Sequence, residues 1–352
     1  MNPGLTTDQI VRRIAELQPV YSFRSGYLYQ NVMYAVAGEV IEAASGMAWD
    51  EFVRTRIFEP LGMTATEATL AAVEGQPKVA QPHTRSGDSI CLTRNRSVDA
   101  VGPAGSIWSS VDDMARWTRF NLNGGQLDGQ RLVSEETHAE ILSPQVIAPE
   151  SMYPTMQIVE PRFFTYGLAW FLHDYRGEAV AMHTGSISGM NALIGLLPDR
   201  DVGVYVLANS GGAELRHALM YHVFDLFIGS TARDWSTELL ELYRGPRDQV
   251  GEPEPTDTPE PTQAPARPPL PLERYGGEYT DPLFGTVTIT LRDGALHLTS
   301  ELDRRGTLTH QEYDAFQAAW DDEPGSTATV VFLPDGTGGV RGVRVFGRVF
   351  ER

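Results

Sequence analysis

Nine prolines fall between residues 246 and 271, at 246, 253, 255, 259, 261, 265, 268, 269 and 271, interleaved with Glu252, Glu254, Asp257 and Glu260. Each removes a backbone donor and fixes φ, so no run here is long enough for a helix or a strand ladder. The segment reads as an extended, semi-rigid acidic linker. It divides the 352-residue chain into a larger part, 1–245, and a smaller one, 272–352. The larger is long enough to enclose a sizeable core.

In the larger part Val32 to Ala44 has helical spacing, with Val32, Val36, Val40 and Ile41 on one side and Gly46 as a stop. Trp49 to Phe58 predicts a second helix, closed by Pro60-Leu61-Gly62-Met63. Ser109-Ser110-Val111-Asp112 has N-cap spacing for a helix through Phe120, and Ser134-Glu135-Glu136 caps another. Tyr166 to Phe171, Ala179 to His183, Asn191 to Leu197 and Gly203 to Ala208 read as strands, the last two joined by a Pro198-Asp199-Arg200-Asp201 hairpin. Helices follow over Glu214 to Phe227 and Trp235 to Tyr243. A helical block, then a meander, then covering helices predicts an α+β fold. Its antiparallel sheet is flanked by helices, with a helical subdomain alongside and the cleft between them.

Residues 272–352 alternate in the manner of strands. Phe284 to Leu291 meets an Asp293-Gly294 turn and Ala295 to Leu298; Thr329 to Leu333 meets Pro334-Asp335-Gly336 and then Val340 to Phe350. Antiparallel hairpins of this kind predict a small β-barrel-like domain.

Charge and composition exclude several functions. The net charge is −18, so phosphate backbones are repelled and nucleic acid is not a partner. No apolar run is long enough for a membrane span. The N-terminus MNPGLTTDQIVRR has no apolar segment that would direct export, and the compartment stays open. Cys91, the one cysteine, forms no intrachain disulfide and reads as a packing residue. His217 and His222 are five apart, off a shared helix face, and no metal or cofactor site is expected.

Four segments carry a more specific pattern. They are Tyr29-Gln30-Asn31 with the helix through Glu42, Glu59-Pro60-Leu61-Gly62-Met63, Gly102 to Ala115, and His183-Thr184-Gly185 before Asn191 to Leu197. In that order they resemble the β-lactamase-related, penicillin-recognising serine hydrolases, a group that includes class C β-lactamases, D,D-peptidases and esterases. Residues 272–352, through Glu278-Tyr279 and Tyr313-Asp314-Ala315-Phe316, resemble a small β-domain of unknown function often appended to these hydrolases.

The resemblance implies acyl transfer on a small ester, amide or peptide-like substrate. Tyr29 would relay protons beside a serine–lysine pair. Asn31 would bond that lysine and a substrate amide, and is expected to cap its helix. Thr184 would offer a hydroxyl to a substrate carboxylate or carbonyl, Gly185 would keep the strand bare, and the Ser186 N–H would be an oxyanion donor. His183 stands where many relatives carry lysine, which favours neutral esters or amides over anionic β-lactams.

The nucleophile motif S-x-x-K is missing. Lys78 is the only lysine, and Gly75 precedes it by three. Ser186 and Ser188 have no lysine partner; no spacing marks a Ser-His-Asp triad, which stays open. In the family the nucleophile helix and first strands precede the tyrosine motif, and 28 residues leave no room for them. The expectation is an N-terminally incomplete hydrolase domain over 1–245, inactive alone. A gene fragment explains this most economically; a partner chain supplying the front half, and a pseudoenzyme, are the alternatives. The competing functional class is a non-catalytic binding protein.

Overall fold

The computed structural model describes residues 5–86, 89–212, 214–230, 233–248, 268–301, 303–321 and 326–352. These fall into two compact units, one within 19–83 and 101–253, the other within 1–18, 84–100 and 254–352. The proline-rich linker expected at 246–271 lies outside the described residues over 249–267.

The first unit is built on a six-stranded antiparallel meander: β1 (Val146–Ile147), β2 (Phe164–Tyr166), β3 (Phe171–Tyr175), β4 (Glu178–Ile187), β5 (Met190–Leu197) and β6 (Val202–Ala208), side by side in that order. Sequence pattern predicts one strand from Tyr166 to Phe171; the structure turns a corner there instead. Gly167 N–H donates to Trp170 O at 2.8 Å, and Ala169 takes φ 67°. Leu168 N–H reaches Ile141 O at 3.0 Å, pinning the corner to the end of the helix Glu135–Ile141. An apolar run buried at both ends looks continuous in sequence whether or not it bends.

Helices α1 (Asn31–Ser45), α2 (Val111–Leu122), α3 (Leu215–Ile228) and α4 (Trp235–Asp248) surround the sheet region. Two glycines set how closely helices approach the sheet. A Cβ on Gly195 of β5 would overlap the Met220 side chain of α3, and one on Gly203 of β6 would overlap the Thr118 methyl of α2. The core between α3, α4 and the sheet is aromatic, with Phe171, Tyr175, Tyr221, Phe224 and Trp235 buried. Asp225 ties it together: its carboxylate accepts from Tyr175 Oη at 2.5 Å and Trp235 Nε1 at 2.8 Å, and pairs with Arg176 at 3.0 Å.

Helix α1 matches the expected span and ends where Gly46, at φ 71°, donates its N–H to Glu42 O at 2.8 Å. Its N-cap is Gln30, not Asn31; Asn31 is the first helical residue and makes no capping bond, because the chain enters extended one residue earlier. Trp49 to Leu61 runs continuously through a π-helical turn at Arg54–Phe58. Gly62, at φ 66°, closes it. The expected N-cap of α2 is Ser110, which accepts from Asp113 N at 3.2 Å.

In the second unit, β7 (Gly277–Asp281), β8 (Gly285–Arg292), β9 (Ala295–Ser300), β10 (Arg305–Glu312), β11 (Ala315–Trp320), β12 (Thr327–Pro334), β13 (Val340–Val345) and β14 (Arg348–Glu351) form a closed barrel. Val340 to Phe350 is two strands rather than one. A tight reversal at Phe346 and Gly347, both at positive φ, separates them. The barrel interior is packed with buried Tyr275, Tyr279, Phe316, Phe332 and Phe350. Asp314 accepts from Tyr275 Oη at 2.7 Å, and Tyr279 Oη donates to Tyr275 O at 2.8 Å. The helix Thr7–Ile14 belongs to this unit, its Arg13 reaching Leu283 O at 3.3 Å and Glu301 at 3.4 Å. Cys91 is half-buried on the strand Ser89–Leu92, between exposed Ile90 and Leu92, rather than packed in a core.

Candidate active site

The four segments singled out in the sequence pack together. A Cβ on Gly38 of α1 would lie 2.6 Å from Pro103, so the tyrosine-motif helix rests directly on the Gly102–Ala104 turn. Gly105 faces Ile187 at the end of β4, at 3.6 Å from a notional Cβ. Arg116 of α2 donates to Leu61 O. Buried Asp113 accepts from Ala65 N at 2.7 Å and Thr66 Oγ1 at 2.8 Å, which docks the following loop on the N-terminus of α2.

Tyr29 enters this region from the extended segment before α1. Its ring centroid lies 6.1 Å from that of His183 and 6.2 Å from that of Tyr166. The hydroxyls of Tyr34 and Tyr166 bond each other, and Tyr166 Oη lies 3.3 Å from His183 Nε2. Beside them opens a groove of about 670 Å³ whose lining includes Tyr27, Tyr29, Met33, Tyr34, Val146 and Tyr166.

The aromatic cluster itself carries no charge, while Arg24 lines the groove and Arg216 reaches Ser186. Burial, with the neighbouring Tyr34, raises the Tyr29 phenol above its ordinary pKa. Burial also raises Tyr27, Tyr34 and Tyr166. The His183 imidazole is pushed down to about 4 by burial. At neutral pH the cluster therefore presents neutral phenols and a neutral imidazole, as donors and acceptors rather than as a base and an acid.

Strand β4 extends past its neighbour. Its ladder to β3 ends at the Phe171–Met182 pair, whereas its ladder to β5 runs from Ala181 to Ile187. Among the described residues, His183 to Ile187 therefore pair on one side alone. The other backbone row has no ladder partner among the described residues, and its His183 end meets Tyr29 of the groove wall; such a row is able to receive an extended amide by main-chain hydrogen bonds.

The residues chosen from sequence do not all play one part. Tyr29 and His183 meet as described. The Thr184 hydroxyl donates to Ala192 O at 2.8 Å, which fixes it against β5. Gly185 is exposed, and a Cβ there would meet no atom within 4 Å. Ser186 is exposed, with its hydroxyl donating to Asn191 Oδ1 and accepting from Arg216 Nη1 at 3.2 Å. Asn31 is half-buried, and among the described residues its side chain makes no hydrogen bond.

Tyr34, Tyr166, Asn191 and Arg216 were not among the site residues chosen from sequence. The density of tyrosines at 21, 27, 29 and 34 is a signal the sequence analysis did not use, and nothing in sequence joins Tyr34 to Tyr166, 132 positions away.

Comparison with known proteins bears on the family and the fold. The Beta-lactamase family matches residues 2–225, and a domain of unknown function, DUF3471, matches residues 261–351. The unguisins hydrolase ungD of Aspergillus violaceofuscus is 29% identical over 322 residues, covering 84% of this chain and 55% of that protein. The chain thus spans about half the length of the curated relatives it matches. The octameric penicillin-binding protein homologue from Pyrococcus abyssi superposes with a TM-score of 0.58 at 20% identity, covering 100% of this chain and 70% of that one. A D-stereospecific amidohydrolase from Streptomyces sp. superposes with a TM-score of 0.50 at 20% identity, over 64% of this chain and 62% of that one. These two likenesses are of fold.

Proposed function

The chain belongs to the Beta-lactamase family, and on that premise we propose that its first unit is the substrate-positioning part of an acyl-transfer site for small neutral amides, esters or peptides. The carrying observation is the backbone row of His183 to Ile187, without a ladder partner on one side among the described residues, whose His183 end meets Tyr29 of the groove wall. A substrate acyl chain lies extended along that row, its carbonyl toward the Ser186 N–H, its apolar side chain among Tyr29, Tyr34 and Tyr166. The neutral imidazole of His183 favours uncharged substrates over anionic ones. The name of one relative, an unguisins hydrolase, supports a hydrolytic reaction.

The reactive serine, in this reading, comes from outside the described chain, which alone positions substrate without turning it over. No S-x-x-K is present, and the phenols are held protonated rather than primed by a neighbouring cation. That neutrality also favours the rival reading, a binding protein that uses the same groove. Both readings predict that a neutral amide such as D-phenylalanine amide binds the purified chain. Intact-mass analysis after exposure to a fluorophosphonate probe separates them from an active hydrolase: no adduct is expected. A serine adduct on this chain, with turnover of a nitrophenyl ester, overturns the reading of an inactive part. Among non-labelled outcomes, tight binding of ligands unrelated to amides or esters favours the binding protein.

A further inference from the structure

Arg216 stands where a guanidinium is poorly placed. It is the second residue of α3, in the first turn, where the helix dipole opposes a cation. The residue is half-buried, and its Nε is enclosed without a hydrogen-bond partner among the described residues. Burial lowers its pKa, against the pull of Glu214 two positions before. Proteins break local rules of this kind chiefly at functional sites.

What Arg216 grips is the far end of β4. Its Nη1 donates to Ser186 Oγ at 3.2 Å and to Asn191 Oδ1. The Ser186 hydroxyl donates to the same Asn191 oxygen, and Asn191 Nδ2 donates to Ser210 O. Ser186 and Asn191 face each other across β4 and β5, one pair short of the ladder's end at Ile187 and Met190. Asn191 is buried, so the bonds that converge on it are shielded from water. The turn beyond is anchored separately. His83 N–H donates to Gly189 O at 3.3 Å, and Gly211 N–H donates to His83 O at 2.7 Å. The hairpin therefore closes without Arg216, whose bonds restrain Ser186 itself.

We propose that Arg216 is a positioning residue: through the Ser186 hydroxyl, braced on Asn191, it fixes the direction of the Ser186 N–H. This rests on the acyl-transfer reading above, in which a substrate carbonyl is aimed at that N–H, and names the residue that aims the donor. Strand ends fray, and a donor that wanders stabilises a carbonyl oxygen less than one held ready. A charge-assisted bond from helix to strand removes that freedom before substrate arrives. Arg216 acts on the carbonyl through Ser186 and makes no contact with it.

Arg216→Met keeps the apolar stem and removes the guanidinium. The order parameter of the Ser186 N–H, read by amide nitrogen relaxation in the full chain, is expected at about 0.85 before the substitution and below about 0.6 after it. Thermal unfolding should stay within a few degrees, because the variant also relieves the helix dipole. Binding of D-phenylalanine amide, by calorimetric titration, should weaken by about tenfold. Ser186→Ala should weaken it as much, and adding Arg216→Met to Ser186→Ala should change it by less than about twofold. Losses that multiply in the double variant mean that Arg216 touches the ligand itself, and overturn the proposal. So does a Ser186 order parameter indifferent to Arg216→Met. If D-phenylalanine amide does not bind the unsubstituted chain, the acyl-transfer reading falls, and the order parameter alone still decides whether Arg216 orients Ser186.

Discussion

The Tyr166 hydroxyl lies 3.3 Å from Nε2 of His183, and both groups are held neutral by burial. His183 is one of four histidines in this unit with a depressed pKa: His173 and His183 are pushed to about 4, His217 to about 3, and His138 is lowered too, each chiefly by burial. Neutral imidazoles in the folded state become proton acceptors when the chain unfolds.

The first prediction is therefore acid sensitivity. A folded pKa below the unfolded value near 6.5 gives stability that is complete above that value and drains away as pH falls toward 4. His173 and His217, both fully buried, alone give a slope of about 3 kcal/mol per pH unit near pH 5, the unfolded chain binding two more protons. Urea unfolding at pH 7, 6 and 5 measures it. His217→Phe, which keeps the ring stacked on Tyr243, should lower the slope by about 1.4 kcal/mol per pH unit, the share of one proton. A slope equal to that of the unsubstituted chain refutes the assignment.

Asp225 should be the most sensitive charged residue of the first unit. Asp225→Ala leaves the Tyr175 hydroxyl and Trp235 indole without their acceptor, and Arg176 without its carboxylate. A loss of about 3–5 kcal/mol is expected from breaking a buried, hydrogen-bonded charge. Chemical denaturation should register less than this for Asp225→Asn, which keeps an acceptor oxygen.

Gly203 and Thr118 should be energetically coupled. Gly203→Ala places a methyl on the Thr118 methyl and is expected to destabilise by about 1–3 kcal/mol. Thr118→Ser removes the colliding carbon and retains the hydroxyl that donates to Met114 O at 2.8 Å. A double-mutant cycle should recover at least about 0.5 kcal/mol. Strict additivity of the two substitutions rules the collision out.

Gly185 separates folding from binding. A Cβ there meets no protein atom within 4 Å, so Gly185→Val should leave the unfolding free energy within about 0.5 kcal/mol of that of the unsubstituted chain. The same branched side chain blocks the strand face on which an extended amide would lie, and D-phenylalanine amide binding should weaken by about tenfold or more. Calorimetric titration giving equal affinities would remove β4 from the binding surface.

Local chemistry made much of this fold legible. Helix α1 announced itself by valines at helical spacing and Gly46 at its end, and α2 by its serine cap. Strand ends were harder. Ala169 and Phe346 turn the chain at positive φ without a glycine or proline at the position itself, so two apolar stretches read as single strands. Tyr29 and His183 could be paired from order and motif alone. Tyr34, Tyr166 and the Asn191–Arg216 contact could not, since each depends on which faces the sheet brings together across long stretches of chain.

The barrel of 268–352 is filled to its axis by aromatic rings, with Tyr275, Tyr279 and Phe332 completely enclosed. A lumen so occupied is no vessel for cargo. Whatever this part of the molecule recognises must be met on its outer wall or at its rims, where loops can be exchanged without disturbing the stack that holds it closed.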